Sequence, residues 1–211
     1  MTYHTPGCPI FRGFAKEPAL SVVEGREPRT SAKLFAVTKF LLLALSLVGV
    51  AGPLRGQEIP RPSVPDQIKA PANEDVILVA HATGWQIYTC ELSGVTHGWK
   101  LKAPDAELRD SRGAIIGHHF AGPTWKHIDG SEVTGKAVGH VESLDPDSIP
   151  WLLVNVESHA GKPGLLTNVT TIQRLHTHGG KPGNDACDES HTGTETKSEY
   201  TADYYFYAPV K

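Results

Sequence analysis

The sequence predicts an all-β domain: a single antiparallel sandwich or closed barrel with little helix. Three observations carry this. Past residue 75 the apolar runs are mostly four to ten residues long. Gly, Pro, Asp and Asn separate them at short spacing. No window of twelve or more residues there has a helical 3.6 period.

Taken in order, residues 76–81 form a near-continuous apolar run ending at Thr83-Gly84, and residues 85–92 are rich in β-branched and aromatic side chains. Residues 99–102 alternate, and at most a short helical turn is expected over 104–108. Residues 114–121, 124–128 and 132–141 are further short runs, broken by Gly122-Pro123 and by Asp129-Gly130, a pair suited to a tight hairpin connection. Residues 149–156 are apolar on both parities, as in a strand covered on both faces. Residues 168–177 alternate, 179–183 form a loop leading into a polar segment over 184–199, and 204–207 are wholly aromatic.

Upstream the texture differs. Residues 40–51 are the most apolar stretch in the chain, preceded by Lys39 and closed by the small-residue exit Gly49-Val50-Ala51. A dozen apolar residues are too few for a membrane helix of roughly 20, so 34–56 reads as a secretory signal peptide. A buried helix or an uncleaved anchor are the alternatives. Residues 1–33 do not fit a signal and read as an unstructured leader. Met1 is the only methionine, and translation is expected to begin at a non-Met codon near Leu34. Residues 57–75, dense in proline, read as an extended linker, and 76–211 as the β-domain. Export places the protein in a secreted or periplasmic compartment, with membrane contact only through an uncleaved signal.

The formal charge of −3 divides unevenly. Upstream of Gln57 seven basic residues face three acidic ones, about +4, which leaves about −7 for the rest. An acidic domain is a poor partner for phosphate backbones, so nucleic-acid binding is disfavoured. Of the three cysteines, Cys8 lies in the leader. In an oxidising compartment Cys90 and Cys187 form a bridge; two buried free thiols are the alternative.

Familiar catalytic motifs are missing: no Gly-x-Ser-x-Gly elbow, no phosphate-cradling glycine loop, no HExxH. Histidine is plentiful, and ten of 11 lie past the signal. His176-x-His178 would share a strand face, and His119, His127 or His191 could add a third metal ligand. The densest segment runs from His119 to Trp125, followed by Asp129-Gly130-Ser131. There Trp125 and His119 either line a pocket or pack a strand corner. Gln86, Gln173 and Arg174 are polar residues inside apolar strands, so they brace the core or point into a site.

These motifs carry a resemblance. Gly84-x-Gln86-Ile87-Tyr88-x-Cys90, the His119–Trp125 segment with Asp129-Gly130-Ser131, Ile149-Pro150-Trp151, Ile172-Gln173-Arg174, Cys187, His191 and the stretch from Tyr200 to Tyr207 resemble the exported bacterial and fungal family called Domain of Unknown Function 3455. The resemblance implies export, one domain and a pair between Cys90 and Cys187, with no established activity. It keeps His119 and His191 as a metal alternative and does not call for histidine at 118, 176 or 178. A malate dehydrogenase label carried by some fungal relatives finds no dinucleotide-binding texture here.

The expected function is a non-enzymatic binding protein for a carbohydrate, envelope component or other small molecule, without a cofactor. Its expected ligand-binding residues are Trp125, His119, Gln86, Tyr88, Gln173, Arg174 and Asp203. The alternatives are a metal-dependent or acid/base hydrolase using His119 with Asp129 or Asp203, and a structural envelope or stress protein.

Overall fold

The computed structural model describes residues 58–210; the leader and the signal segment lie outside the described residues. Eight antiparallel strands run as a meander and close on themselves. They are β1 (Glu74–Ser93), β2 (Thr96–Arg109), β3 (Ile115–Phe120), β4 (Thr124–His127), β5 (Ser131–Val141), β6 (Trp151–Gly161), β7 (Thr171–Gly179) and β8 (Glu195–Pro209). β8 pairs with β1 from Glu74–Pro209 to Thr89–Glu195, which closes the sheet into a barrel. Of the two all-β architectures expected, the barrel is the one formed.

Two expected breaks are absent. Thr83-Gly84 does not end a strand: β1 runs through it for 20 residues. A Cβ on Gly84 would stand 2.2 Å from the Asp105 carbonyl oxygen, so glycine lets β1 and β2 cross closely. The short helical turn expected over 104–108 is instead strand, because Pro104, Ala106 and Leu108 alternate inward along β2.

Period-2 alternation builds the interior. β1 turns Ala80, Ala82, Gln86, Tyr88 and Cys90 inward, while β8 contributes Tyr200, Ala202, Tyr204 and Phe206. The inner alanines leave room for the large rings opposite them, as a narrow barrel requires.

The two ends are built differently. At the lower end the β6–β7 connection tucks Leu166 and Val169 under the barrel, against the core of Val133, Ile172 and Phe206. At the upper end the β1–β2 hairpin extends well past the short β3 and β4. The bridge between Cys90 and Cys187, Cα atoms 5.5 Å apart, ties that hairpin to the β7–β8 loop.

The proline-rich stretch is extended, as expected, but it is no free tether. From Glu58 on it is strapped across the outside of the barrel. Ile68 is fully buried, worth roughly 1.5–3 kcal/mol. The carbonyl oxygen of Gln67 would lie 2.4 Å from a Cβ on Gly139, so only glycine lets the strap cross β5. The Arg61 guanidinium donates to the carbonyls of Ala70 (2.7 Å), Pro71 (3.0 Å) and Glu74, and sits over the Tyr207 ring. Underneath, Ala70, Val76 and Tyr207 form a small core outside the barrel.

Candidate functional site

The upper half of the barrel encloses a cavity of about 180 Å³. Its walls are apolar at Pro104, Leu152 and Val154, and its mouth is marked by the exposed Leu101, Pro123 and Ala137. Inside, five strands bring together His119 of β3, Trp125 of β4, Gln86 of β1, Arg174 of β7 and Tyr204 of β8.

The aromatic part is tightly packed. His119 stacks on Trp125 with ring centres 4.3 Å apart and planes 11° from parallel, and Tyr204 meets both edge-on at 5.1 and 5.6 Å. His119 Nδ1–H donates to the Thr124 carbonyl oxygen at 2.8 Å, which leaves Nε2 as the ring's acceptor. Burial drives the imidazole pKa down to about 3; the Thr124 contact opposes this and the nearby charge of Arg174 adds to it. His119 is therefore neutral at ordinary pH.

The polar part is unfinished. Gln86 Nε2, Trp125 Nε1 and the hydroxyls of Tyr200 and Tyr204 are buried without a hydrogen-bond partner. Tyr200 neighbours Tyr204 and Gln86, and Tyr204 neighbours Arg174, yet no hydrogen bond is completed between them. Burial pushes both phenol pKa values up, so both hydroxyls stay protonated. Arg174 is 8 % exposed. Its Nε and Nη2 donate to the Pro150 carbonyl at 3.2 and 2.9 Å. No Asp or Glu among the described residues pairs with it, and its charge is felt at Tyr88, His119, Tyr200 and Tyr204.

Of the expected ligand-binding residues, Trp125, His119, Gln86 and Arg174 thus meet at one cavity. Tyr88 faces inward higher up, but its hydroxyl is engaged with the Gly180 carbonyl at 2.6 Å. Gln173 and Asp203 do not join them, because alternation turns both outward. The Gln173 amide bonds Ile68 of the strap and the Tyr207 hydroxyl. Asp203 lies between the Nδ1 atoms of His81 (2.5 Å) and His176 (2.8 Å) on the outer wall. His176 itself has φ 49°, at an irregularity in β7.

The acid/base pairing expected of His119 is not made, since its partner is a backbone carbonyl. Asp129 is committed at the lower end, where it accepts from Ser131 N (2.8 Å), Ser131 Oγ (2.6 Å) and Leu165 N (2.7 Å). These bonds hold its carboxyl far below the usual carboxylate range. His191 bonds Asp188 at 2.7 Å in the β7–β8 loop, and no group of three or more His, Cys, Asp or Glu placed to hold a metal occurs among the described residues.

Tyr200 and Tyr204 escaped the sequence reading as site residues. The signal was present: period 2 through Tyr200-Thr201-Ala202-Asp203-Tyr204 puts both phenols on one face. A larger trough of about 730 Å³ on the outer wall carries Trp85, Asp105, Glu107 and Glu199. There Asp105 already meets His118 at 2.9 Å and Glu107 meets Arg109. Its acidic groups are paired or exposed, whereas Gln86, Trp125 and Tyr204 bring unpartnered buried atoms to the interior cavity, which is the stronger candidate.

One family model, described as a protein of unknown function (DUF3455), matches residues 71–208. No curated protein and no solved structure matches the chain.

Proposed function

The chain belongs to the DUF3455 family, and from that premise we propose that it is an exported, non-enzymatic protein that encloses a small molecule in the upper half of its barrel. One observation carries the reading: four buried polar atoms without partners surround or adjoin a cavity inside a closed fold. Each such atom costs about 1–3 kcal/mol, and native interiors seldom leave four together unless something else satisfies them.

Size narrows the ligand. An apolar cavity of about 150 Å³ accommodates benzene, so 180 Å³ suits one small ring, a short chain, or the end group of something longer that leaves by the mouth. A sugar platform fits less well, because His119 already covers a face of Trp125. Binding is favoured over turnover because the partner of His119 is a backbone carbonyl and no carboxylate among the described residues bonds it. Export is supported by the Cys90–Cys187 bridge, which is compatible with an extracellular location, and by the signal-like texture of 34–56.

The test is a thermal-shift and calorimetry screen of ring and short-chain compounds on wild type and Ala137→Trp. Ala137 is exposed at the mouth, so the tryptophan blocks entry without disturbing the core. Hits that Ala137→Trp weakens at least tenfold are expected. Hits indifferent to it, or no hits at all, would refute an interior site.

A further inference from the structure

Resting on that cavity reading, we infer that the enclosed group is a monocarboxylate whose acid head meets Arg174 and whose apolar ring or short chain fills the space towards the mouth. Arg174 is the starting point. A buried guanidinium without a counter-ion is among the costlier things a protein can hold. Only one backbone carbonyl receives it, through Nε and Nη2, and Nη1 donates no hydrogen bond among the described residues. A cation kept this way, on the wall of a cavity, is a half-made ion pair, and guanidinium matches carboxylate geometry with two parallel hydrogen bonds.

The neighbours agree in sign. Gln86 Nε2, Trp125 Nε1 and the Tyr200 and Tyr204 hydroxyls all carry hydrogens to donate, and all four lack partners. A cluster of donors around one positive charge selects an acceptor with negative charge. The two hydroxyl oxygens and His119 Nε2 can also accept, but the positive charge of Arg174 among them opposes a cationic ligand.

The charge count sets the valence. Arg174 is the only Lys or Arg among the described residues that lines the cavity, and His119 is held neutral by its burial. One positive charge balances one negative charge; a dianion such as phosphate would bring a second charge that nothing there offsets. The remaining walls, Pro104, Leu152 and Val154, are apolar. They call for a hydrocarbon body beyond the acid group, which excludes small inorganic anions as the natural occupant.

The experiment compares isosteres. Benzoate, benzamide, benzyl alcohol and inorganic phosphate are titrated into the full chain at neutral pH, with thermal shift and calorimetry as readouts. Wild type, Arg174→Met, Arg174→Lys and Ala137→Trp are compared. Benzoate is expected to bind at least tenfold tighter than benzamide. Arg174→Met should erase that preference and Arg174→Lys keep part of it. Benzamide or benzyl alcohol binding as tightly as benzoate, with all of them blocked by Ala137→Trp, would overturn the carboxylate while leaving the cavity reading intact. Phosphate matching benzoate would overturn the apolar body. No compound sensitive to Ala137→Trp would overturn both readings. The benzoate–benzamide comparison needs no variant at position 174, so it stands even where Arg174→Met does not fold.

Discussion

The two ends of the barrel handle buried polarity in opposite ways. At the lower end Asp129 takes up Ser131 and Leu165, Ser131 Oγ in turn accepts from Leu166 N at 3.1 Å, and Leu166 is 1 % exposed beneath the core. Every group in that knot has a partner. At the upper end Gln86, Trp125, Tyr200 and Tyr204 have none, and Arg174 has no counter-charge. Both ends belong to one continuous sheet, so the fold itself does not force the difference. The lower end is finished as a stopper; the upper end keeps donors idle at a cost of about 1–3 kcal/mol each. Buried polarity is paired at one end of the cylinder and left open at the other.

The largest perturbation available is the covalent tie at the upper end. Cys90 and Cys187 are separated by 97 positions, and reopening a loop of that length costs about 4–5 kcal/mol in the chain-entropy model. The Cys90→Ala/Cys187→Ala pair should lower stability by that order in urea unfolding. A loss under 1 kcal/mol would mean the upper end holds itself together and the contrast is weaker than drawn.

Acid comes next, and it reports the two ends in separate pH windows. Unfolded histidine takes a proton near pH 6.5, whereas folded His119 resists until about 3. Between those values the unfolded state binds more protons, so stability falls as pH falls, by on the order of 4–5 kcal/mol across the full window. Asp129, held far below the usual carboxylate range, contributes stability present above about pH 4 that is lost only on further acidification. His119→Phe should flatten the slope from pH 6.5 to 4.5 and Asp129→Asn the slope below it. An unchanged upper slope in His119→Phe would remove the imidazole as its source.

Truncating the stopper is expected to cost less. Leu166→Ala should destabilise by about 2–4 kcal/mol through the cavity it leaves, with no change in benzoate affinity. Impaired binding in that variant would show the two ends to be coupled.

The smallest effect is the most discriminating. Tyr204→Phe deletes a buried hydroxyl that has no partner, so stability should rise by about 1 kcal/mol while benzoate binding weakens tenfold. Stability and affinity moving the same way would break the comparison.

How much of this could be read from residues alone follows from which signals are local. Alternation along a strand is local, so the all-β class, the Asp129-Gly130 connection and the pocket residues Trp125 and Gln86 were visible. Register is not local. Gln173 and Arg174 look equivalent in sequence, yet one neighbour's shift in facing sends the first under the strap and the second into the cavity. Asp203 was an expected ligand residue and a possible partner of His119, and the same parity that places Tyr204 inside puts it outside. Gly84 imitated a strand break because closeness to β2 is invisible until β2 is placed. The proline-rich stretch looked like a tether because its anchors, Gly139 and Gln173, lie far along the chain.

The strap sets a practical limit on trimming this protein. The region shared with the family opens at residue 71, and a recombinant fragment cut there would lack Arg61 and Ile68. The Gln173 amide would lose the Ile68 carbonyl it donates to, and Tyr207 its stacked cation, leaving a naked oily flank on the cylinder. Such a fragment invites sticking between copies, so expression work should keep the chain from Glu58 onward.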